Sequence, residues 1–255
     1  TDLPYILKDS LFNIQHRGQD SYGMILVSNH GNLDIIHEKG LVNNLDINKR
    51  LFNNYNIGIG HVRYPTKGDN SLKNAQPFYK YCKNTHILAH NGQVSLKSNV
   101  KNINILNKIK DKSISDSMIL LELLSAEFIN IDTNVSNEKI INGFNNISHY
   151  LDGTYSCIYH ILNVGTFIFK DKYGVKPLVI GHNNSQYLVS SESISLKNLG
   201  YKIVGDIKPG EVIFFPTNDI SNIRRIKYNN ENLCCPCIFE WIYFAGVGSS
   251  IYNVS

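Results

Sequence analysis

The order of the predicted strands and helices constrains the fold of this chain more than any other feature of its sequence. Strand-like segments fill the first part, two helical stripes follow, and strand-like segments return after residue 152. A doubly wound parallel sheet alternates strand and helix throughout, so this order argues against one. It predicts an α+β fold in which two mainly antiparallel sheets carry helices on the outside.

Three segments place apolar residues at helical spacing, namely 7–14, 116–128 and 140–151. Ser115 can serve as the N-cap of the second helix, whose nearly continuous apolar run predicts deep burial. The predicted strands are 22–27, 33–37, 57–63, 86–90, 154–161, 165–169, 186–190 and 211–215. The fourth of these is expected to end at the turn dipeptide Asn91-Gly92.

Composition excludes several classes of protein. With 42% hydrophobic and 18% charged residues, the chain can bury a core and is not disordered. Its net charge of +4 comes without a basic stripe, so no nucleic-acid partner is expected. No apolar run of about 18 residues and no signal-peptide pattern occurs, so we expect a cytoplasmic protein without a membrane partner.

Residue types suited to amide chemistry occur in short segments spread along the chain. Arg63 can grip a carboxylate with two parallel hydrogen bonds, although an isolated arginine is more often part of a surface salt bridge. The Asn91 amide and the Gly92 N–H are two donors that can converge on one developing oxyanion, although Asn-Gly is also common in hairpin turns. Asp116 falls at the start of a predicted helix, where the helix dipole stabilises a negative charge, so this aspartate can also have a purely structural role.

Longer motifs surround these residues: Gln15–Met24, Gly60–Thr66, Gln76–Phe78, Ser115–Ser117 and Asp171–Leu178. They resemble the glutamine pocket of class II, N-terminal-nucleophile glutamine amidotransferases. Within that class, Gln19 and the segment 236–245 resemble the amidophosphoribosyltransferases, and the likeness extends over residues 5–245. Other class II members are disfavoured by Gln19 and by Phe239-Glu240.

The resemblance implies a role for each matching residue. Arg63 and Thr66 belong to the segment that binds glutamine, with Arg63 on its α-carboxylate, and Asp116 binds its α-ammonium group. Asn91 and Gly92 form the oxyanion hole. Arg17 lies near the nucleophile, and Gly18 allows the backbone to approach the substrate.

The resemblance also implies a fold and an activity. The fold is the four-layer αββα sandwich of N-terminal-nucleophile hydrolases. The activity is hydrolysis of glutamine and transfer of ammonia to a phosphoribosyltransferase domain or chain, which forms 5-phosphoribosylamine from phosphoribosyl pyrophosphate in purine synthesis. Residues 1–222 would form the glutaminase domain and 223–255 a junction, with the Asn-rich stretch 218–232 near the boundary. The full-length protein is expected to be a homo-oligomer.

The chain departs from this pattern at both ends. It begins at Thr1, no cysteine precedes Cys82, and the nucleophile is expected roughly nine residues before Thr1. Thr1 lies out of register for a substitute nucleophile. After Ala245 the synthase domain is missing, so we expect an incomplete and inactive glutaminase. The alternative is a glutamine-binding remnant that never performs catalysis.

The five cysteines do not suggest a disulfide framework, because they are unevenly spaced and odd in number. Cys234, Cys235 and Cys237 are close enough in sequence to suggest a metal, and some family members carry an iron–sulfur cluster. No further ligands follow, so free thiols are favoured and no metal site is predicted. No cofactor is expected in this chain, whereas the family's synthase domain uses magnesium.

Overall fold

The computed structural model describes residues 2–47, 54–64, 71–97, 115–184, 186–231 and 233–252. The chain divides into two compact units, each assembled from separate stretches of sequence. Unit 1 comprises Thr1–Pro77, Pro177–Asp206 and Cys237–Ser255, and unit 2 comprises Phe78–Lys176 and Ile207–Pro236. Within the described ranges, no helix is long and apolar enough to cross a membrane.

Unit 1 contains two antiparallel sheets, three-stranded in the described part of the chain, in the orders β2-β1-β3 and β10-β8-β9. Its elements are α1 (Leu3–Asn13), β1 (Ser21–Ser28), β2 (Leu33–Lys39), β3 (Tyr55–Arg63), β8 (Val179–Asn183), β9 (Gln186–Ser190), α4 (Ser193–Asn198) and β10 (Lys202–Asp206). A single helical turn, Gln15–Arg17, joins α1 to β1, and another covers Glu240–Phe244.

Helix α1 packs directly on β3 because two glycines of that strand leave room for leucine side chains. A Cβ atom at Gly60 would lie 2.8 Å from Leu11 Cδ1, and one at Gly58 would lie 3.0 Å from Leu7 Cδ2. Leu7 and Leu11 are the stripe that predicted this helix, and both are buried in one cluster with Met24 of β1. This close packing fixes the turn 15–17 beside the end of β3.

Unit 2 is an antiparallel sheet, six-stranded within the described residues, in the order β12-β11-β7-β6-β5-β4. Its elements are β4 (Phe78–Tyr81), β5 (Thr85–Leu96), α2 (Asp116–Glu127), α3 (Asn137–Tyr150), β6 (Leu151–Ile161), β7 (Gly165–Lys170), β11 (Glu211–Pro216) and β12 (Arg224–Lys227). Ser115 caps α2 by accepting a hydrogen bond from the Met118 N–H, as predicted.

The core of unit 2 is rich in aromatic rings. The Phe128 ring, just beyond α2, stacks on Phe167 of β7 with centroids 5.6 Å apart. Phe144 of α3 lies 4.6 Å from Phe169 of the same strand. These contacts hold both helices against one face of the sheet, which leaves the side chains of alternate strand residues on its other face.

The structure confirms every predicted strand and helix and corrects two boundaries. Strand β5 does not end at Asn91-Gly92, as the turn chemistry predicted, but runs through both residues to Leu96 in register with β6. The strand predicted at 154–161 likewise begins earlier, because β6 starts at Leu151 and runs through Asp152 and Gly153. The sequence patterns missed β4, β8, β10, β12 and α4. Strand β12 lies inside the Asn-rich stretch 218–232, and the predicted boundary at 222/223 stays a prediction.

Candidate functional site

Gly92 occupies a backbone position in β5 that only glycine fits. It has φ +151°, and a Cβ atom there would lie 2.1 Å from the Thr154 carbonyl oxygen and 2.8 Å from Tyr155 Cα. Gly92 faces Tyr155 across the ladder, and its neighbour Asn91 faces Ser156. The dipeptide is therefore a distortion within a long, paired strand, where backbone strain of this kind is often found at functional positions.

The Asn91 side chain presents a donor that lacks an acceptor. Its Nδ2 atom is buried, and no described residue accepts a hydrogen bond from it. A buried amide donor without a partner costs about 1–3 kcal/mol, so folded proteins rarely retain one without a reason. An amide donor held in this state is suited to an oxygen that gains negative charge during a reaction.

Asp116 begins α2 and binds the same stretch of β5. Its Oδ2 accepts a hydrogen bond from the Val94 N–H at 3.1 Å, and its Oδ1 accepts one from the Ser117 N–H at 2.9 Å. Nearby, His90 Nδ1 lies 2.8 Å from Ser117 Oγ. Burial lowers the pKa of His90 to about 4, so its imidazole is neutral at pH 7 and packs as part of the scaffold.

The segment that follows β7 braces the strand opposite Gly92. Asp171 Oδ2 accepts a hydrogen bond from the Tyr155 N–H at 2.9 Å, while Oδ1 accepts from the N–H groups of Tyr173 and Gly174 at 2.8 and 3.0 Å. The sequence placed Asp171 in a shared motif without assigning it a task. Its three backbone contacts fix the loop against β6 beside the Asn91-Gly92 distortion.

Arg63 is the last residue of β3 in unit 1. It is 8% exposed, and its Nη1 donates a hydrogen bond to Asp20 Oδ2 at 3.1 Å. A buried guanidinium that is paired with a carboxylate is held in one orientation, which suits recognition of a further carboxylate. Asp20 belongs to the motif read from the sequence, but its contact with Arg63 was not predicted.

Gly18 and Arg17 lie next to Arg63 in the same unit. A Cβ atom at Gly18 would lie 2.5 Å from the Arg63 carbonyl carbon and 2.7 Å from its nitrogen, so the two backbones are in contact. The Arg17 guanidinium is shared between two acids, with Nη1 2.8 Å from Glu192 Oε1 and Nη2 2.7 Å from Glu240 Oε2. These contacts are typical of an arginine that orients a turn.

Among the predicted site residues, the structure groups Arg17, Gly18 and Arg63 within unit 1, and Asn91, Gly92 and Asp116 within unit 2. Thr66 lies outside the described residues. The roles assigned to all seven stay predictions. Glu192 lies in the segment 190–193, which also resembles the family and is interpreted from the sequence as mostly architectural, so no task at the site is predicted for it.

The cysteines do not form a metal site in the described part of the chain. No three His, Cys, Asp or Glu side chains come together there in a way that could hold an ion. Cys234 and Cys235 are exposed, and Cys157 lies in the core, where burial raises the pKa of its thiol. The expectation that this chain carries no cofactor stays a prediction.

Comparison with known proteins supports the motif analysis. A model of the glutamine amidotransferase domain matches residues 61–198, more than half of the chain. The amidophosphoribosyltransferase of Escherichia coli strain K12 is 32% identical across 97% of this chain and 50% of its own length. The one from Methanocaldococcus jannaschii is 33% identical across 96% of this chain and 53% of its own length. The chain thus spans about half the length of the curated relatives it matches.

A solved structure gives the same result for the fold. Glutamine phosphoribosylpyrophosphate amidotransferase from B. subtilis, complexed with ADP and GMP, aligns with a TM-score of 0.75 and 23% identity over 98% of this chain and 52% of that one. The likeness confirms the fold class predicted from the order of strands and helices. With the family model matching more than half of its residues, the chain belongs to the glutamine amidotransferase domain family.

Proposed function

We propose that this chain is the glutaminase part of an amidophosphoribosyltransferase. It would hydrolyse glutamine and supply ammonia for the formation of 5-phosphoribosylamine from phosphoribosyl pyrophosphate in purine synthesis. The observation that carries the proposal is the buried Nδ2 of Asn91, a donor without an acceptor in the described residues, next to the constrained Gly92. The similarity to amidophosphoribosyltransferases over 97% of the chain supports the same reaction.

Each residue in this proposal acts by ordinary physical chemistry. The Arg63 guanidinium binds the α-carboxylate of glutamine, and Thr66 belongs to the same segment. The Asp116 carboxylate binds the α-ammonium group. The Asn91 amide and the Gly92 N–H stabilise the oxyanion of the tetrahedral intermediate, where fixed donors contribute more than mobile water does. Arg17 and Gly18 shape the turn beside Arg63.

The proposal extends to what lies beyond this chain. Ammonia would pass to a phosphoribosyltransferase domain or chain, the part that uses magnesium in the family, and no cofactor is proposed for the glutamine reaction. We also propose a cytoplasmic homo-oligomer. We further propose that the 255 residues alone release no ammonia from glutamine.

Substitution of Arg63 tests this function. In the full-length protein that would contain this chain, hereafter the intact protein, Arg63→Ala should raise the glutamine KM at least about 30-fold. The reason is that removing one partner of a buried charge pair costs about 2–5 kcal/mol. Steady-state kinetics of glutamate release measures this directly. Arg225→Ala is the matched control, since Arg225 also pairs with a carboxylate, Glu211, but is exposed. An unchanged KM for Arg63→Ala would remove Arg63 from the glutamine site.

A further inference from the structure

Glu192 is a fully buried carboxylate that connects two separate segments of unit 1. It is 0% exposed, and four groups among the described residues donate hydrogen bonds to it. His16 Nε2 and Arg17 Nη1 each lie 2.8 Å from Oε1, while the Gly246 N–H and Ser249 Oγ lie 2.9 and 2.7 Å from Oε2. Oε1 thus accepts hydrogen bonds from the turn 15–17, and Oε2 accepts them from the segment 246–249.

The carboxylate is charged at any working pH. Burial alone would raise the pKa of Glu192, but the hydrogen bonds from His16, Arg17 and Gly246 outweigh it and lower that pKa to about 2. An ionised carboxylate accepts hydrogen bonds only, so all four contacts have matching partners. This buried charge fixes the position of Arg17, because moving the Arg17 guanidinium away would leave the carboxylate without that cationic partner.

Glu192 is itself fixed in place. It immediately precedes α4, and that short helix is bound to α1 through Ser195 Oγ, which lies 2.8 Å from Ser10 Oγ. At the other end of α4, Asn198 Nδ2 donates to Asn13 Oδ1 at 2.6 Å. The Glu192 carboxylate therefore has a fixed position, and the position of the turn 15–17 depends on it.

A displacement of that turn would reach Arg63 directly. Gly18 follows Arg17 and contacts the Arg63 backbone without space for even a Cβ atom. Asp20, two residues later, donates its N–H to the Arg63 carbonyl at 3.2 Å and accepts a hydrogen bond from the Arg63 guanidinium. Glu192 is thus connected to Arg63 through Arg17, which binds Glu192, and through Gly18 and Asp20, which both contact Arg63.

We propose that Glu192 is a positioning residue for glutamine binding: by holding Arg17 it sets the turn 15–18, and the turn sets the backbone and guanidinium of Arg63. This inference rests on the proposed function, in which Arg63 binds the α-carboxylate of glutamine. Glu192 itself contacts no substrate in this scheme. Its effect is on the affinity for glutamine and not on the chemical step.

Glu192→Gln in the intact protein tests the idea, because the amide keeps the shape and removes the charge. The glutamine KM should rise about 10- to 100-fold, the loss that a displacement of about 1 Å can cause, while kcat stays near the original value. Turnover supported by an ammonium salt in place of glutamine should be unchanged. Ser249→Ala, which leaves Glu192 with its contacts to His16, Arg17 and Gly246, is the matched control and should keep the original KM.

Other outcomes are equally decisive. An unchanged glutamine KM in Glu192→Gln, or a parallel loss of ammonium-supported turnover, would overturn the proposal. If that variant does not fold, Arg17→Lys replaces it, because a lysine cannot reproduce the planar fork that serves Glu192 and Glu240, and the same rise in KM is expected. An Arg17→Lys protein with the original KM would then refute the proposal.

A readout without catalysis separates this inference from the proposed function. Backbone amide NMR shifts of Gly18, Asp20 and Arg63 should change in Glu192→Gln and stay unchanged in Ser249→Ala. If the original protein does not hydrolyse glutamine, the proposed function fails, whereas these shifts still report whether Glu192 positions Arg63. Unchanged shifts in both variants would contradict the positioning role alone.

Discussion

Unit 1 and unit 2 differ in the buried groups that should govern their response to acid. In unit 1 the Arg17 guanidinium lies between the buried carboxylates of Glu192 and Glu240. Opposite charge raises the pKa of Arg17 even though burial alone would lower it. Such a network is stable only while every member is in place.

Unit 2 instead buries three histidines in its strands. Desolvation is the largest cause in each case, and it lowers the pKa values of His86, His90 and His160 to about 4. At neutral pH these rings carry no charge and need no ionic partner. The comparison shows that a buried charge fixes geometry in one unit, while a buried neutral ring makes the other unit sensitive to acid.

Acid should therefore weaken unit 2 well before unit 1. Each of the three histidines binds a proton at a pKa near 6.5 when unfolded and about 4 when folded, so its stabilisation is complete above pH 6.5 and is lost as pH falls towards 4. At pH 5 the loss is about 2 kcal/mol for each histidine. Glu192, with a folded pKa of about 2, loses its contribution only below pH 4.5.

Urea unfolding at pH 7 and pH 5 measures this effect, and hydrogen exchange corrected for the intrinsic rate locates it. Protection should fall in β5 and β6 more than in β1 and β3. His160→Phe, which removes one of the three groups, should reduce the pH dependence by about one third. Equal unfolding midpoints at the two pH values would show that the histidines are not held neutral.

Removal of the Arg17 guanidinium from unit 1 should cause the next largest loss of stability. Arg17→Met leaves Glu192 and Glu240 buried without their shared partner, which should lower the free energy of unfolding by about 3–5 kcal/mol. The comparison variant is Lys80→Met, whose ion pair with Glu122 is partly exposed and should contribute less than about 1 kcal/mol. Similar losses in the two variants would mean that burial does not distinguish these pairs.

Regular patterns in the sequence were sufficient for most of the fold. Helix α1 followed from the spacing of Leu7 and Leu11, and α2 from an apolar run preceded by Ser115. Short edge elements such as β12 were missed, because four residues carry too little pattern and Asn-rich flanks indicate a loop. The predictions for the long strands β5 and β6 were too short because the internal residues Gly92 and Gly153 favour turns.

Asn91-Gly92 shows the limit most clearly. Local propensity favours a turn for this dipeptide, but eleven pairs of residues between β5 and β6 carry the strand through it. In the same way, the sequence does not predict the contacts of Glu192, because its partners lie 176 and 175 residues away in His16 and Arg17, or 54 and 57 residues away in the last segment. Contacts between distant segments are not encoded in local periodicity.

In the proposed function, Asn91 provides an oxyanion donor for the hydrolysis of glutamine. The most direct test is the kcat of glutamate release by the intact protein carrying Asn91→Ala or Asn91→Asp, beside Asn146→Ala on the exposed side of α3 as the control. Loss of one donor should lower kcat by about 10²–10³ with little change in KM, and Asn91→Asp should be at least as damaging because it sets an acceptor against a developing negative charge. Near-original turnover in Asn91→Asp would contradict the account and leave Asn91-Gly92 as a structural distortion of β5.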